Sequence, residues 1–224
     1  QSRRTVSKDP LEPLPSALNI TVLTWNMAES SPSVEDCTFM ESFKDSDVIV
    51  LGIQECENIK PRRHEGSRSR KWKSIQSKLF KKSYRCVTQH KIGGLQLAVH
   101  VRRPLYPRLI DDVEVLDVAC GIGNVLTNKG AICSLLRIQG RTLALVNAHF
   151  AAHVDKVHER NADFCRVTAS IADNAPTKWL HPHSLSGKLA RERHAAFEKS
   201  ALYSDQPWLE HLLRAAGCPA DQQL

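Results

Sequence analysis

An amide and a carboxylate close two short apolar runs of this chain. Asn26 follows Ile20-Thr21-Val22-Leu23-Thr24-Trp25, and Glu55 follows Val48-Ile49-Val50-Leu51-Gly52-Ile53-Gln54. Oxygen donors of this kind suit a hard cation, since Mg²⁺ takes one or two carboxylates and keeps several waters. Downstream, Lys129 stands between Asn128 and Gly130, a setting that lets backbone approach an anion closely. Asn147 and His149 end a further apolar run. A cation, a lysine and a histidine together suit phosphate-ester chemistry, which needs charge neutralised, water activated and growing negative charge stabilised. Each residue also has an ordinary reading: Glu55 as an exposed strand-end acid, Asn26 as a turn residue, Lys129 as solvated surface, His149 as a structural histidine. His181-Pro182-His183, a lone pair in a loop, is weak evidence for a metal site.

Positioning these groups requires strands. Ile20–Thr24 is rich in β-branched residues and reads as a strand. The run from Val48 to Ile53 is apolar on consecutive positions, as a strand covered on both faces should be. Between them, Val34 to Phe43 is expected to be a short helix, completing a βαβ unit with parallel strands. Asn26 and Glu55 would then leave the same edge of one sheet. Further strands are expected at Tyr84–Gln89, Leu95–Val101, Val113–Val118, Ala131–Ile138 and Arg141–Val146, the last two joined by a tight turn at Gln139-Gly140. Residues 60 to 73 read as a basic loop whose tail enters a helix with Trp72, Ile75 and Leu79 on one face. Past Val167 the pattern changes, with helices expected at Leu189–Leu202 and Trp208–Ala216.

The chain has 224 residues, a net charge of +7 and a pI near 9.1. That length can bury one sizeable core, and the charge favours anionic partners or serves solubility alone. Seven cysteines, with none in a C-x-x-C pair, point to a reducing compartment. No apolar stretch is long enough to span a bilayer. The chain begins at Gln1 and is expected to be a fragment or an excised region. Residues 1 to 18 read as a linker, 19–170 as a partial catalytic domain and 171–224 as a divergent helical tail.

Taken in order, Thr24-Trp25-Asn26, Gly52-Ile53-Gln54-Glu55, Gly123-Asn124 through Asn128-Lys129-Gly130-Ala131, and Asn147-Ala148-His149 with Ala152-His153 and Glu159-Arg160-Asn161 resemble the first half of an inositol polyphosphate 5-phosphatase domain. That family lies in the endonuclease/exonuclease/phosphatase superfamily. The resemblance covers about residues 19 to 170 and implies a DNase-like four-layer α/β sandwich, of which this chain would supply roughly one sheet and its helices. It implies Asn26 and Glu55 as Mg²⁺ ligands and His149 as a catalytic contact to the scissile phosphate. Substrate contacts would come from Asn124, Lys129, Asn147, His153, Arg160 and Asn161. The implied substrates are phosphoinositide lipids or soluble inositol polyphosphates. The implied setting is cytoplasmic, with peripheral contact to anionic membranes, no transmembrane segment and no nucleic-acid partner.

The family's later motifs, G-D-x-N-Y-R, P-x-x-x-D-R and S-D-H, are not found after Asn161, and Ser204-Asp205-Gln206 keeps two letters of the last. Those motifs hold the general-base Asp and a histidine that stabilises the transferring phosphate. The chain alone is therefore expected to turn over little or nothing, and a half sandwich would expose an apolar sheet face. Two other readings stay open: a sibling nuclease or sphingomyelinase of the same fold, and a non-catalytic module that binds anionic lipid.

Overall fold

A computed structural model describes residues 14–57, 66–106, 108–120, 129–139 and 141–174. Strands β1 (Ile20–Asn26), β2 (Val48–Gln54), β3 (Tyr84–Ile92) and β4 (Leu95–Arg102) form one sheet in the order β1-β2-β4-β3. β1 and β2 are parallel, in register from Ile20 opposite Val48 to Asn26 opposite Gln54. Strands β5 (Ile110–Ala119), β6 (Gly130–Ile138) and β7 (Arg141–His149) form a second, antiparallel sheet. This corrects the expectation of a single sheet. β5 is only partly legible in the sequence because Asp111, Asp112, Glu114 and Asp117 interrupt its apolar positions.

The two sheets face one another across the largest apolar cluster. Val48 and Val50 of β2 and Leu95, Leu97, Val99 and Val101 of β4 meet Ile132, Leu136 and Ile138 of β6 there. Leu14 and Leu18, at the end of the expected linker, also pack against it. On the outer face of the first sheet, Ile49, Leu51, Ile53 and Ala98 meet Cys37 and Met40 from a 3-10 segment (Glu35–Asp45) and Trp72, Ile75 and Phe80 from helix α1 (Ser67–Phe80). Consecutive residues of β2 thus serve opposite faces, which accounts for its unbroken apolar run. On the outer face of the second sheet, Ala131, Cys133 and Leu135 meet Val167 and Ile171 of helix α2 (Val157–Asn174). The layers run helical, sheet, sheet, helical, the α/β sandwich that was expected.

The short helix expected after β1 forms as a 3-10 helix. Two local readings need correction. The basic stretch is already helical from Ser67, so Arg68, Arg70, Lys71 and Lys73 lie on α1. Helix α2 was not foreseen, and it continues past Val167 without a break. The turn after β6 does form where expected: Ile138 pairs with Arg141, and Gln139 has φ of 49°, the left-handed conformation such two-residue turns use. Cys37, Cys56, Cys86, Cys120 and Cys133 are free thiols, and Cys165 is disulfide-bonded. Residues 175–224, including the expected helices and His181 and His183, lie outside the described residues.

Candidate active site

Side chains alternate across a strand, so each strand presents one series to the space between the sheets. On β1 that series is Ile20, Val22, Thr24, Asn26; on β2 it is Val48, Val50, Gly52, Gln54; on β7 it is Leu143, Leu145, Asn147, His149. All three change from apolar to polar in the same direction. The switch therefore produces one polar patch at one end of the sandwich, walled by the apolar core behind it.

Asn147 ties the two sheets together at this end. Its Nδ2 donates to the carbonyls of Ile53 (2.9 Å) and Gln96 (2.8 Å), and its Oδ1 accepts from Gln54 Nε2 at 2.5 Å. Gln54 Nε2 also reaches Thr24 Oγ1 at 3.3 Å. Asn147 and Gln54 are both buried, so each bond is worth more than at the surface. Gly52 makes room: a β-carbon there would lie 3.1 Å from Asn147 Cγ. The amide thus holds backbone, and its donors are already spent.

Glu55 follows β2 with φ of 52°, a conformation uncommon outside glycine. The exit from β1 runs beside it, since Met27 N donates to Gln54 O (2.9 Å) and Glu29 N donates to Glu55 O (2.8 Å). Asn26 and Glu55 thus emerge at one sheet edge, and Asn26 Oδ1 accepts from Ala28 N at 2.9 Å. Glu55 Oε1 lies 3.3 Å from His149 Nε2, and the same ring nitrogen lies 2.6 Å from Lys129 Nζ.

Burial, seconded by the Lys129 charge, holds the His149 pKa below its ordinary value, with Glu55 opposing. Burial likewise lowers the Lys129 pKa, opposed by Glu55 and Asp163. An unprotonated His149 Nε2 accepts from the Lys129 ammonium at this distance. The neighbouring glycine fixes where Lys129 stands. Gly130 has φ of 153°, and a β-carbon there would collide with Val118 O, so only glycine lets β6 start here.

The loop after β7 carries His153, exposed and with φ of 75°. Arg160 of α2 folds over this loop, donating through Nη1 to the carbonyls of Ala151 and His153 and through Nη2 to Val154 O. Asn161 comes next on the same helix, half-buried. Asn124 lies outside the described residues.

Sequence reasoning missed Asp163. It is buried, accepts from Ala151 N at 3.3 Å, and adds negative charge near Lys129. Burial raises its own pKa. The available signal was its position two residues after Asn161 on a helix, visible only once α2 is recognised.

Among the described residues, no three His, Cys, Asp or Glu side chains gather as metal ligands. A cation here would take the Glu55 carboxylate, draw on the Asn26 amide oxygen and keep water in its remaining positions. That donor set fits Mg²⁺ or Ca²⁺ and does not suit Zn²⁺, which prefers a closed nitrogen and sulfur shell.

Comparison with known proteins gives this geometry its context. The family model described as Endonuclease/Exonuclease/phosphatase family 2 matches residues 23–196. Type II inositol polyphosphate 5-phosphatase 15 of Arabidopsis thaliana is 33% identical over 165 residues, covering 67% of this chain and 15% of that protein. Human phosphatidylinositol 4,5-bisphosphate 5-phosphatase A is 25% identical over 176 residues, covering 73% of this chain and 17% of that protein. The chain thus spans about a sixth of the length of these relatives. Among solved structures, the inositol polyphosphate 5-phosphatase domain of SPsynaptojanin, in complex with inositol (1,4)-bisphosphate and calcium ion, superposes with a TM-score of 0.59 at 19% identity, covering 89% of this chain and 63% of that one. Cimex nitrophorin, solved as a ferrous NO complex, superposes with a TM-score of 0.51 at 16% identity, covering 66% of this chain and 52% of that one. One fold therefore serves different ligands, and the site must decide between them.

Proposed function

Because this chain belongs to the endonuclease/exonuclease/phosphatase family, we propose that the polar end of its sandwich is the metal- and phosphate-holding part of an inositol polyphosphate 5-phosphatase site. The observation that carries this reading is the convergence of Glu55, His149 and Lys129, 3.3 and 2.6 Å apart, at the sheet edge where Asn26 also emerges. The curated relatives are inositol polyphosphate 5-phosphatases, which favours this substrate class over those of sibling enzymes.

Asn26 and Glu55 would hold a divalent cation, Mg²⁺ in our reading. When bound, such a cation neutralises phosphate charge and polarises the ester. Lys129 places a positive charge beside the phosphate oxygens. His149 donates a ring N–H to a phosphate oxygen. Asn147 and Gln54 position β2 and β7 so that Glu55 and His149 stay together. Arg160 and Asp163 position the loop that carries His153, while Asn161 and Asn124 remain proposed substrate contacts. Substrates are phosphoinositide headgroups or soluble inositol polyphosphates, met in the cytoplasm at an anionic membrane surface. No helix among the described residues is long and apolar enough to cross a membrane.

Turnover is a separate matter. The sequence holds no G-D-x-N-Y-R or S-D-H motif after Asn161, so this chain binds its ligand but lacks the family's base. Loss of general acid–base help costs about 10²–10⁴-fold in rate. Phosphate release from a soluble inositol polyphosphate with Mg²⁺ tests this, with Glu55→Gln as control. Release near background is expected. Release at ordinary enzyme rates, abolished by Glu55→Gln, would show that the chain carries a base outside these motifs. Metal-dependent release untouched by Glu55→Gln would refute the site itself.

A further inference from the structure

A second cationic cavity lies away from this site, under α1 and against β3. It has a volume of about 270 Å³ and is lined by Lys73, Lys81, Arg85 and Arg103, with Gln76 and His100 among its other walls. Among the described residues no Asp or Glu lines it. We propose that this cavity binds a phosphate monoester, either on a compact headgroup or as a free small anion.

Two of the cations are held in place. Arg103 donates from Nε (3.0 Å) and Nη2 (2.9 Å) to the carbonyl of Lys81, which joins the end of β4 to the end of α1. Arg85 lies over the Tyr106 ring, 5.9 Å from its centroid. Guanidinium groups restrained in this way lose little entropy when they bind an anion.

Gln76 supplies an independent sign of a ligand. It is 2% exposed, and its Oε1 accepts from His100 Nε2 (3.0 Å) and Gln89 Nε2 (3.4 Å). With Oε1 in these contacts, the Gln76 Nε2 has no partner among the described residues. Buried donors are seldom left unpaired, because each has lost its water without gaining a partner. An anion seated among four cations accepts from it. Burial pushes the His100 pKa down to about 4, so the ring stays neutral near neutral pH.

The volume argues for a small ligand rather than a nucleic-acid backbone, which needs an extended groove. The cavity is also separate from the candidate active site. β4 runs from Gln96, beside Asn147, to His100, four residues or about 13 Å further along. His100 contacts α1, through Gln76, on the outer side of the sheet, whereas Asn147 lies between the sheets. Lys73 belongs to the basic stretch singled out in the sequence, so part of that stretch has a defined place to act.

The test titrates inositol 1,4-bisphosphate into the full chain carrying Glu55→Gln and His149→Gln, with a chelator present, so that the first site contributes nothing. Saturable binding is expected, weakened about tenfold or more by Lys81→Gln with Arg85→Gln, since both changes remove a charge that faces the anion. Lys82→Gln, outside the cavity, should leave it unchanged. If the double variant fails to melt cooperatively, Lys73→Gln alone serves, with a smaller loss in the same direction. A parallel arm floats the protein on phosphatidylcholine vesicles with and without phosphatidylinositol 4-phosphate. Binding to those vesicles identifies a lipid headgroup as the source, and binding only to the soluble ester identifies a free anion. Absence of binding in both arms, or equal losses from Lys81→Gln and Lys82→Gln, would overturn the proposal.

Discussion

Asn147 spends both amide hydrogens on backbone carbonyls of the facing sheet, and this makes it the most demanding residue of the site. Asn147→Asp would turn an acceptor, and at neutral pH a charge, toward those carbonyls. Each buried group left unpaired costs about 1–3 kcal/mol. We expect a loss of about 3 kcal/mol or more in chemical denaturation; a variant as stable as the parent would mean that the two sheets are held together elsewhere. His100 gives the residue-scale pH dependence. Its pKa falls to about 4 in the folded chain from 6.5, so the folded state binds its proton less readily than the unfolded state does. Its contribution is complete above pH 6.5 and is lost as pH falls toward 4. Denaturation at a series of pH values should show a decline of about 3 kcal/mol across that window. The decline should flatten in His100→Gln. At this scale the sequence was informative for groups that end strands, Asn26, Glu55 and His149, because strand ends show in the apolar pattern. It was silent on Asp163 and Gln76, whose partners lie 12 and 24 residues away and emerge only from packing.

At the scale of elements, α1 shows how a distant carboxylate starts a helix. Glu57 is buried, and its Oε1 accepts from Ser69 N at 2.8 Å, satisfying one of the free N–H groups of the first turn. A β-carbon on Gly66 would collide with that same oxygen. Gly66→Ala should therefore act by displacing Glu57. Both Glu57→Ala and Gly66→Ala should cost about 1–2 kcal/mol, in the range of a lost cap, and the double variant should cost little more than either. Additive losses in a double-mutant cycle would show that Gly66 matters for another reason. The strands were legible for a physical reason: β2 is buried on both faces and reads as an apolar run up to Gln54, while β4 keeps its apolar positions around a buried Gln96 and His100. α2 was not, because its buried stripe mixes Asp163, Cys165, Val167, Thr168 and Ile171, too polar a set to display a helical period.

At the scale of the molecule, β2, β4 and β6 bury their facing sides, so the expected exposure of a whole apolar face does not occur among the described residues. What remains open is narrower. Ile20 and Val22 on β1 are 36% and 64% exposed, and Val146 on β7 is 47% exposed. Among the described residues β1 and β7 are edge strands, the kind that offers backbone groups for pairing. Val22→Thr with Val146→Thr should change stability by less than about 0.5 kcal/mol and reduce self-association seen by light scattering. A large loss of stability would mean that these residues are covered in solution. The fold was thus readable as a class, while the count of sheets was not, since the acids of β5 conceal its alternation.

The central claim is that Asn26, Glu55, Lys129 and His149 make one cation and phosphate site. Calorimetric titration of inositol 1,4-bisphosphate in the presence of Mg²⁺ tests it most directly, on a chain whose α1 cavity is disabled by Lys81→Gln with Arg85→Gln. We expect binding that disappears on chelation, and that Glu55→Gln and His149→Gln each weaken by about tenfold or more. Binding indifferent to Mg²⁺ and to both substitutions would contradict the account.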